Sequence, residues 1–381
     1  MTGSKGIKNM IIGIPKEVKN NENRVGMDPI GVGALVDAGH EVIIESKAGV
    51  NSSFSDEDYA KYGGNILDHA DDVWEKADMI MKVKEPQHTE FSKMREGQIL
   101  FTYFHLANEK EVAQALIDRG VTAVAYETIE DRNGNLPLLE PMSEVAGRMT
   151  VQIGAQYLEK INGGKGILLG GVPGTKRGQI TIIGGGTVGY NAARMGLGLG
   201  AHVNVLEVNP DRRRFIQSVF GTQVQTLTSN PVTIAESVRD SDLVIGSVLL
   251  SGGKTPKLVT IDMIKSMEKG SVLVDPAIDQ GGNFEGFDQA TSHDHPIIER
   301  YGVLYYGVSN MPGSVPNTAT QALAGNTVEY AALIAKHGLH DAIKQLPGLK
   351  KGVNIYKGKC TNEAVAGALD FEYTPLEEVE A

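Results

Sequence analysis

Short apolar runs alternate with amphipathic stretches along the first third of the chain. Met10–Pro15 (MIIGIP), His40–Ser46 (HEVIIES), Asp78–Lys84 (DMIMKVK), Gln98–Phe104 (QILFTYF) and Val121–Glu127 (VTAVAYE) are rich in apolar and β-branched residues, a pattern that predicts strands. Between them, Pro29–Ala38 places Ile30, Val32, Leu35 and Val36 at helical spacing, and His69–Ala77, Phe91–Glu96 and Asn108–Arg119 read as helices. Asn108 is the expected cap of the last, with Val112, Ala115 and Leu116 on its apolar face. Strands separated by helices imply a parallel sheet covered on both sides.

A turn cluster at Asp131–Pro137 interrupts this pattern. Ser143–Ile161 then predicts a long helix capped by Ser143, followed by a glycine-rich loop over Asn162–Arg177. The alternation restarts with the strand Gln179–Ile183, the turn GGGTVG, a helix to about Gly200, and the strand HVNVLEV. Further strands are expected at Leu243–Ser247, Ser271–Asp275 and Val303–Val308. A turn over Asn310–Thr320 precedes a helix from about Gln321 to Lys336, a short helix Asp341–Gln345 and an acidic tail. The expected class is α/β, with two doubly wound parallel-sheet (Rossmann-like) domains and a cleft between them.

Composition narrows the function classes. The chain has 381 residues, and its formal charge of −11 argues against nucleic acid or anionic membrane surfaces as main partners. No apolar run approaches the ~18 residues of a membrane span. The start, MTGSKGIKN, lacks an apolar export core and reads as a polar leader. A single cysteine, Cys360, excludes an internal disulfide framework and fits a reducing compartment, the cytoplasm.

Gly184-Gly185-Gly186-Thr187-Val188-Gly189 is a GxGxxG motif between a strand and a helix, with a second strand ending in Glu207. Gly184 permits the tight turn, Gly186 lets the backbone approach a pyrophosphate, and Gly189 lets helix pack on strand. Glu207 can accept hydrogen bonds from ribose hydroxyls and repels a 2′-phosphate, which favours NAD over NADP. Arg212, Arg213 and Arg214 follow; they read either as ligands for such a phosphate or as a solvated first helical turn.

Ligands of open α/β sheets bind beyond the carboxyl ends of strands. Arg24, Lys84 and His105 all follow predicted strands of the first domain, and Asp279 follows a strand of the second. Two cations suit a small carboxylate substrate, and an imidazole held at the sheet rim, out of bulk water, suits acid–base work. The plainer alternatives are a surface pair of Arg24 with Glu22 or Asp28, a solvated strand-end charge at Lys84, a buried hydrogen-bonded His105, and a turn cap at Asp279. His293-Asp294-His295 lacks a nearby third ligand and reads as a polar loop, so no metal is expected.

These segments resemble the alanine dehydrogenases, the group that also holds the NAD-binding subunit of proton-translocating transhydrogenase. The similar stretches are IGIPKEVKNNENRVGMDPIGV, KVKEPQ, GQILFTYFHLA, LLEPMSEVAGRM, GGKGILLGGVPGTKRGQITIIGGGTVGYNAA, SDLVIGSVLL, AIDQGGNFEG and NMPGSVPNTAT, in family order from Met10 to about Ala366. The resemblance implies Arg24 and Lys84 as substrate-carboxylate ligands, His105 and Asp279 as the two acid/base residues, and Met142 and Asn310 as pocket-lining positions. It implies Ser143, Gly184, Gly186, Gly189, Glu207, Arg212, Ser229, Val248 and Leu249 as NAD contacts. The family usually has Asp at the place of Glu207 and an aliphatic residue at that of Pro276. The implied activity is NAD-dependent interconversion of L-alanine with pyruvate and ammonium by a homohexamer. The implied domains are 1–137 with 317–381 for substrate and 138–316 for NAD. The alternatives are an opine- or saccharopine-type dehydrogenase and a non-enzymatic NAD-binding subunit.

Overall fold

The computed structural model describes residues 9–249 and 255–380. The polar leader, apart from Asn9, and Leu250 of the SDLVIGSVLL segment lie outside the described residues. The chain divides into two compact units, Met1–Met142 with Gly313–Ala381, and Ser143–Pro312. The sequence expectation puts these breaks at 137/138 and 316/317.

In chain order the strands are β1 (Ile11–Ile14), β2 (Glu41–Glu45), β3 (Asn65–Leu67), β4 (Met79–Met81), β5 (Ile99–Thr102), β6 (Thr122–Ala125), β7 (Gln179–Ile183), β8 (His202–Glu207), β9 (Val224–Thr228), β10 (Leu243–Gly246), β11 (Val272–Val274), β12 (Ile297–Arg300), β13 (Val303–Tyr306), β14 (Val353–Tyr356) and β15 (Lys359–Cys360). The sheet of the first unit has the order β15-β14-β6-β5-β4-β1-β2-β3. Its strands β1–β6 pair parallel, while β14 and β15 add an antiparallel edge. The sheet of the second unit has the order β12-β13-β11-β10-β7-β8-β9, parallel except for the edge strand β12.

Both sheets therefore reverse direction of growth once, at β1/β4 and at β7/β10. These are the topological switch points where the loops after adjacent strands diverge and leave a crevice. The central strands are buried on both faces, which explains their continuous apolar runs. Trp74, Leu100, Phe104 and Leu116 form part of the first unit's core, and Val244, Leu273, Phe284 and Tyr305 part of the second's. Each such side chain contributes roughly 1.5–3 kcal/mol by leaving water.

Helix starts follow a repeated local signal. Asp28, Asn209 and Asn230 each cap a helix whose first residue is proline: Pro29–Asp37, Pro210–Phe220 and Pro231–Arg239.

Several expected boundaries are corrected. The strands expected at Asp78–Lys84 and Gln98–Phe104 stop at Met81 and Thr102, so Lys84 and His105 lie in loops beyond them. Phe91–Lys93 is a single 3-10 turn. Asn108 sits in the 3-10 turn Leu106–Asn108, and the helix Lys110–Asp118 starts after Glu109 without a side-chain cap. Ser143 does not cap the long helix, which runs Glu140–Tyr157; Pro141 fits its first turn, where no amide partner is needed. That helix stops short of Ile161 because Gly164 folds back onto it; a Cβ there would lie 2.2 Å from the Tyr157 carbonyl oxygen. Within the expected turn Asn310–Thr320, only Met311–Ser314 is a 3-10 turn; the helix Pro316–His337 starts at the proline. The C-terminal region is more than a tail: β14 and β15 extend the first sheet, and helices Glu363–Leu369 and Leu376–Glu380 follow.

Candidate functional site

In the first unit, β1 and β4 are neighbours, so the segments leaving them meet at the switch point. Arg24 comes from the first and is buried, 3% exposed. Its guanidinium is gripped by Glu22, with Nε donating to Oε1 at 2.7 Å and Nη2 to Oε2 at 2.6 Å. Nη1 lies 3.1 Å from the Met142 sulfur. Arg24 is thus an ion-paired residue, as its alternative reading holds, but a buried one. Burial would push the Glu22 carboxyl up, yet the hydrogen bonds and charge of Arg24 hold it down at about 2.

Lys84 follows β4 and is half-buried. Its backbone amide donates to Glu17 Oε1 at 3.3 Å, and its ammonium has no hydrogen bond or ion pair among the described residues. Burial and then the charge of Arg24 push its pKa down. A half-buried ammonium beside a guanidinium is relieved by an incoming anion.

Sequence reading missed what holds these cations. Lys82 is fully buried and bridges Glu17 Oε2 at 3.0 Å and Glu90 Oε1 at 2.9 Å. Glu17 Oε1 also accepts from the Val83 amide at 2.5 Å, so the triad fixes the chain just before Lys84. Lys82 and Lys84 look alike in sequence; only the packing separates a fully buried, ion-paired cation from a half-buried one.

His105 follows β5. Its backbone is in the left-handed region (φ 51°, ψ 39°), rare for a side-chain-bearing residue and frequent at functional positions. Its amide donates to Glu127 Oε1 at 2.6 Å, and its ring lies parallel to that of Tyr103. The residue is exposed, contrary to the expectation of a shielded ring, because β5 ends earlier and the left-handed turn carries the side chain past the sheet.

In the second unit the glycine turn sits at the switch point between β7 and β10. Gly184 has φ 102°, and a Cβ on Gly189 would lie 1.9 Å from the Gly184 carbonyl oxygen, so neither position admits a side chain. A Cβ on Gly186 would enter open space. Gly186 caps the helix Thr187–Gly198 without a side-chain bond, which leaves first-turn amides for a phosphate. Ser247, after β10, places its Oγ 2.9 Å from the carbonyls of Ile183 and Gly184 and pins the turn. These features fit a dinucleotide pyrophosphate.

Glu207 ends β8. Its Oε2 accepts from the Gly185 amide at 2.7 Å and its Oε1 from the Asn209 amide at 2.8 Å, leaving lone pairs for further donors. The three arginines divide their work. Arg212 donates from Nε to the Gly185 carbonyl and lies over the rings of Tyr190 and Phe215. Arg213 donates to the Glu207 carbonyl at 2.6 Å, and Arg214 pairs with Asp211 at the surface. Ser229 follows β9 and its amide donates to the Glu207 carbonyl at 3.3 Å. Ser143 is half-buried in the second turn of its helix.

Val248 follows Ser247 and is half-buried, with Leu249 exposed beside it. The Val248 amide donates to Asn283 Oδ1 at 3.0 Å. Asp279 is exposed in the 3-10 turn Ile278–Gln280, and its Oδ1 accepts from the Ser309 hydroxyl; no turn-capping bond to it occurs among the described residues. Asn310, next to Ser309, is another left-handed residue, with φ 57°. Asp275, fully buried at the end of β11, accepts from Tyr305 Oη at 3.1 Å, the Ala277 amide at 3.2 Å and the Asn283 amide at 3.1 Å. Burial pushes its carboxyl up to about 6, against these bonds.

Residues 13–146 match the family described as "Alanine dehydrogenase/PNT, N-terminal domain", and residues 150–363 match "Alanine dehydrogenase/PNT, C-terminal domain". "Alanine dehydrogenase 2" of Staphylococcus aureus (strain USA300) is 54% identical over 369 residues, covering 97% of this chain and 99% of that protein. A solved structure named "L-alanine dehydrogenase" superposes with a TM-score of 0.92 at 46% identity, covering 95% of this chain and 99% of its own. A transhydrogenase structure from Sinorhizobium meliloti superposes with a TM-score of 0.80 at 26% identity, covering 93% of this chain and 99% of its own. Two adjoining family domains, together spanning most of the chain and carrying both switch-point loops, lead to one conclusion: the chain belongs to the alanine dehydrogenase/PNT family.

Proposed function

We propose that the protein is an NAD-dependent alanine dehydrogenase that interconverts L-alanine with pyruvate and ammonium. The observation that carries this reading is 54% identity across 97% of the chain to a protein of that name. The buried Arg24 and the half-buried ammonium of Lys84, which has no ion pair among the described residues, support it at one switch point.

Bound NAD would accept a hydride from the substrate Cα and return it in the reverse direction. Gly184, Gly186 and Gly189 would hold its pyrophosphate, Glu207 its ribose, and Ser143, Arg212, Ser229, Val248 and Leu249 would complete the contacts. Arg24 and Lys84 bind the substrate carboxylate and orient Cα; Met142 and Asn310 line the pocket. Such orientation supplies part of the rate enhancement, with about 7–11 kcal/mol as the ceiling for positioned reactants. Hydride loss leaves an imine carbon; water adds to it and ammonia departs. His105 and Asp279 handle the two protons this requires, one on the amine and one on the attacking water. The discontinuous division, with the first and last segments forming the substrate domain and the middle the NAD domain, belongs to the same reading, as do a homohexameric assembly and a cytoplasmic location.

The test is NADH consumption with pyruvate plus ammonium by the full chain alone. Turnover that needs a second amino acid would point to an opine-type enzyme, and absence of turnover to a cofactor-binding subunit. NADPH should be at least about tenfold poorer in kcat/KM, equivalent to about 1.4 kcal/mol. Light scattering tests the hexamer.

A further inference from the structure

Asn283 is fully buried and uses its whole amide. Oδ1 accepts from the Val248 amide at 3.0 Å, while Nδ2 donates to the Val248 carbonyl at 3.3 Å and the Pro256 carbonyl at 3.2 Å. Its main chain is equally engaged. The amide donates to Asp275 Oδ2 at 3.1 Å, and the carbonyl accepts from Leu258 at 2.9 Å and Val259 at 3.1 Å. Asp275 also accepts from Ala277, so its carboxylate ties the start of the segment 275–283 to its end. Asp279 lies midway along that segment.

The surroundings leave no slack. A Cβ on Gly246 would stand 2.7 Å from Asn283 Cβ, and one on Gly282 would stand 2.3 Å from Asp275 Oδ2. Only a side chain with both a donor and an acceptor satisfies the amide and the carbonyl of Val248 together. An apolar residue would remove the partner of three partly buried backbone groups, and an aspartate that of two carbonyls.

We propose that Asn283 is a positioning residue that holds the backbone at Val248, on the cofactor side, and the loop carrying Asp279 in one fixed relation. This rests on the alanine dehydrogenase reading, in which Val248 contacts NAD and Asp279 moves a proton. One buried amide then sets both where the cofactor lies and where the proton carrier stands.

The test compares wild type, Asn283→Ala and Asp279→Asn with the double variant, each as full chain. NADH affinity is read by fluorescence titration without turnover, and kcat by NADH consumption with pyruvate and ammonium. Asn283→Ala should weaken NADH binding by about tenfold and lower kcat by a similar factor. In the Asp279→Asn background it should still weaken NADH binding but lower kcat no further. A merely structural residue would lower the melting temperature and leave the NADH affinity of the folded protein unchanged; that result overturns the proposal. So does a kcat loss that multiplies in the double variant. Should Asn283→Ala not fold, Asn283→Asp, which keeps the acceptor for the Val248 amide at matched size, carries the same comparison. Wild-type protein inactive with pyruvate and ammonium would bring down the functional reading and this proposal with it. Active wild type with additive variants would bring down the proposal alone.

Discussion

Glu22 grips Arg24 through both carboxylate oxygens, which accept from Nε at 2.7 Å and Nη2 at 2.6 Å, and neither side chain reaches solvent to any extent. The pair presents Arg24 as a prearranged, fixed fork, and it makes the two residues interdependent for stability.

On the proposed function, removing Arg24 should do more than weaken substrate binding. Arg24→Ala removes the guanidinium that pairs with the buried Glu22 carboxylate, a loss of roughly 3–5 kcal/mol. The double variant Glu22→Gln, Arg24→Met should recover much of that stability in urea melts and none of the pyruvate turnover. A single Arg24→Ala variant as stable as wild type would show that the pair contributes nothing to the fold.

Lys84 should behave in the opposite way. Its ammonium is half-buried with no hydrogen bond or ion pair among the described residues, so its charge costs stability in the absence of an anion. Lys84→Met should melt at or above the wild-type temperature while kcat/KM for pyruvate falls about 10- to 150-fold, the equivalent of one charge-assisted contact. NADH binding should stay unchanged. Near-normal turnover would return Lys84 to the status of a solvated charge.

His105 and Asp279 should be separable from binding. His105→Ala and Asp279→Asn should each lower kcat by about 10²–10⁴-fold with NADH affinity intact. If both serve one proton path, the losses will not multiply in the double variant. Wild-type kcat in Asp279→Asn would reduce that residue to the hydrogen-bond partner of Ser309.

Asp275 gives a pH signature. Its carboxyl titrates at about 6 in the folded chain against an ordinary 3.8. The folded state therefore holds the proton more tightly, and stability falls as pH rises from about 4 through 6. Asp275→Asn lacks this titration. Its stability relative to wild type should increase over that interval, by up to about 3 kcal/mol, and level off above it. Melts of both proteins at half-unit steps from pH 4.5 to 7.5 check this; a constant difference would mean that Asp275 does not titrate there.

Local chemistry made much of this protein legible in its sequence. Strand, glycine turn and helix around Gly184–Gly189 follow from residue spacing, because apolar periodicity and the need for φ near 102° at Gly184 act over a few residues. The same holds for Asp28, Asn209 and Asn230, where a polar cap precedes a proline. What the tertiary structure alone decided was adjacency. That β1 lies beside β4, bringing the segments of Arg24 and Lys84 to one switch point, depends on pairing between strands far apart in the chain. That Lys82 rather than Lys84 is the fully buried cation depends on Glu17 and Glu90 arriving from other segments. The Asn283 clasp on Val248 joins loops after two different strands. A polar side chain's role is set by which donors and acceptors reach it once water has left, and those partners are assembled by packing rather than by sequence neighbours.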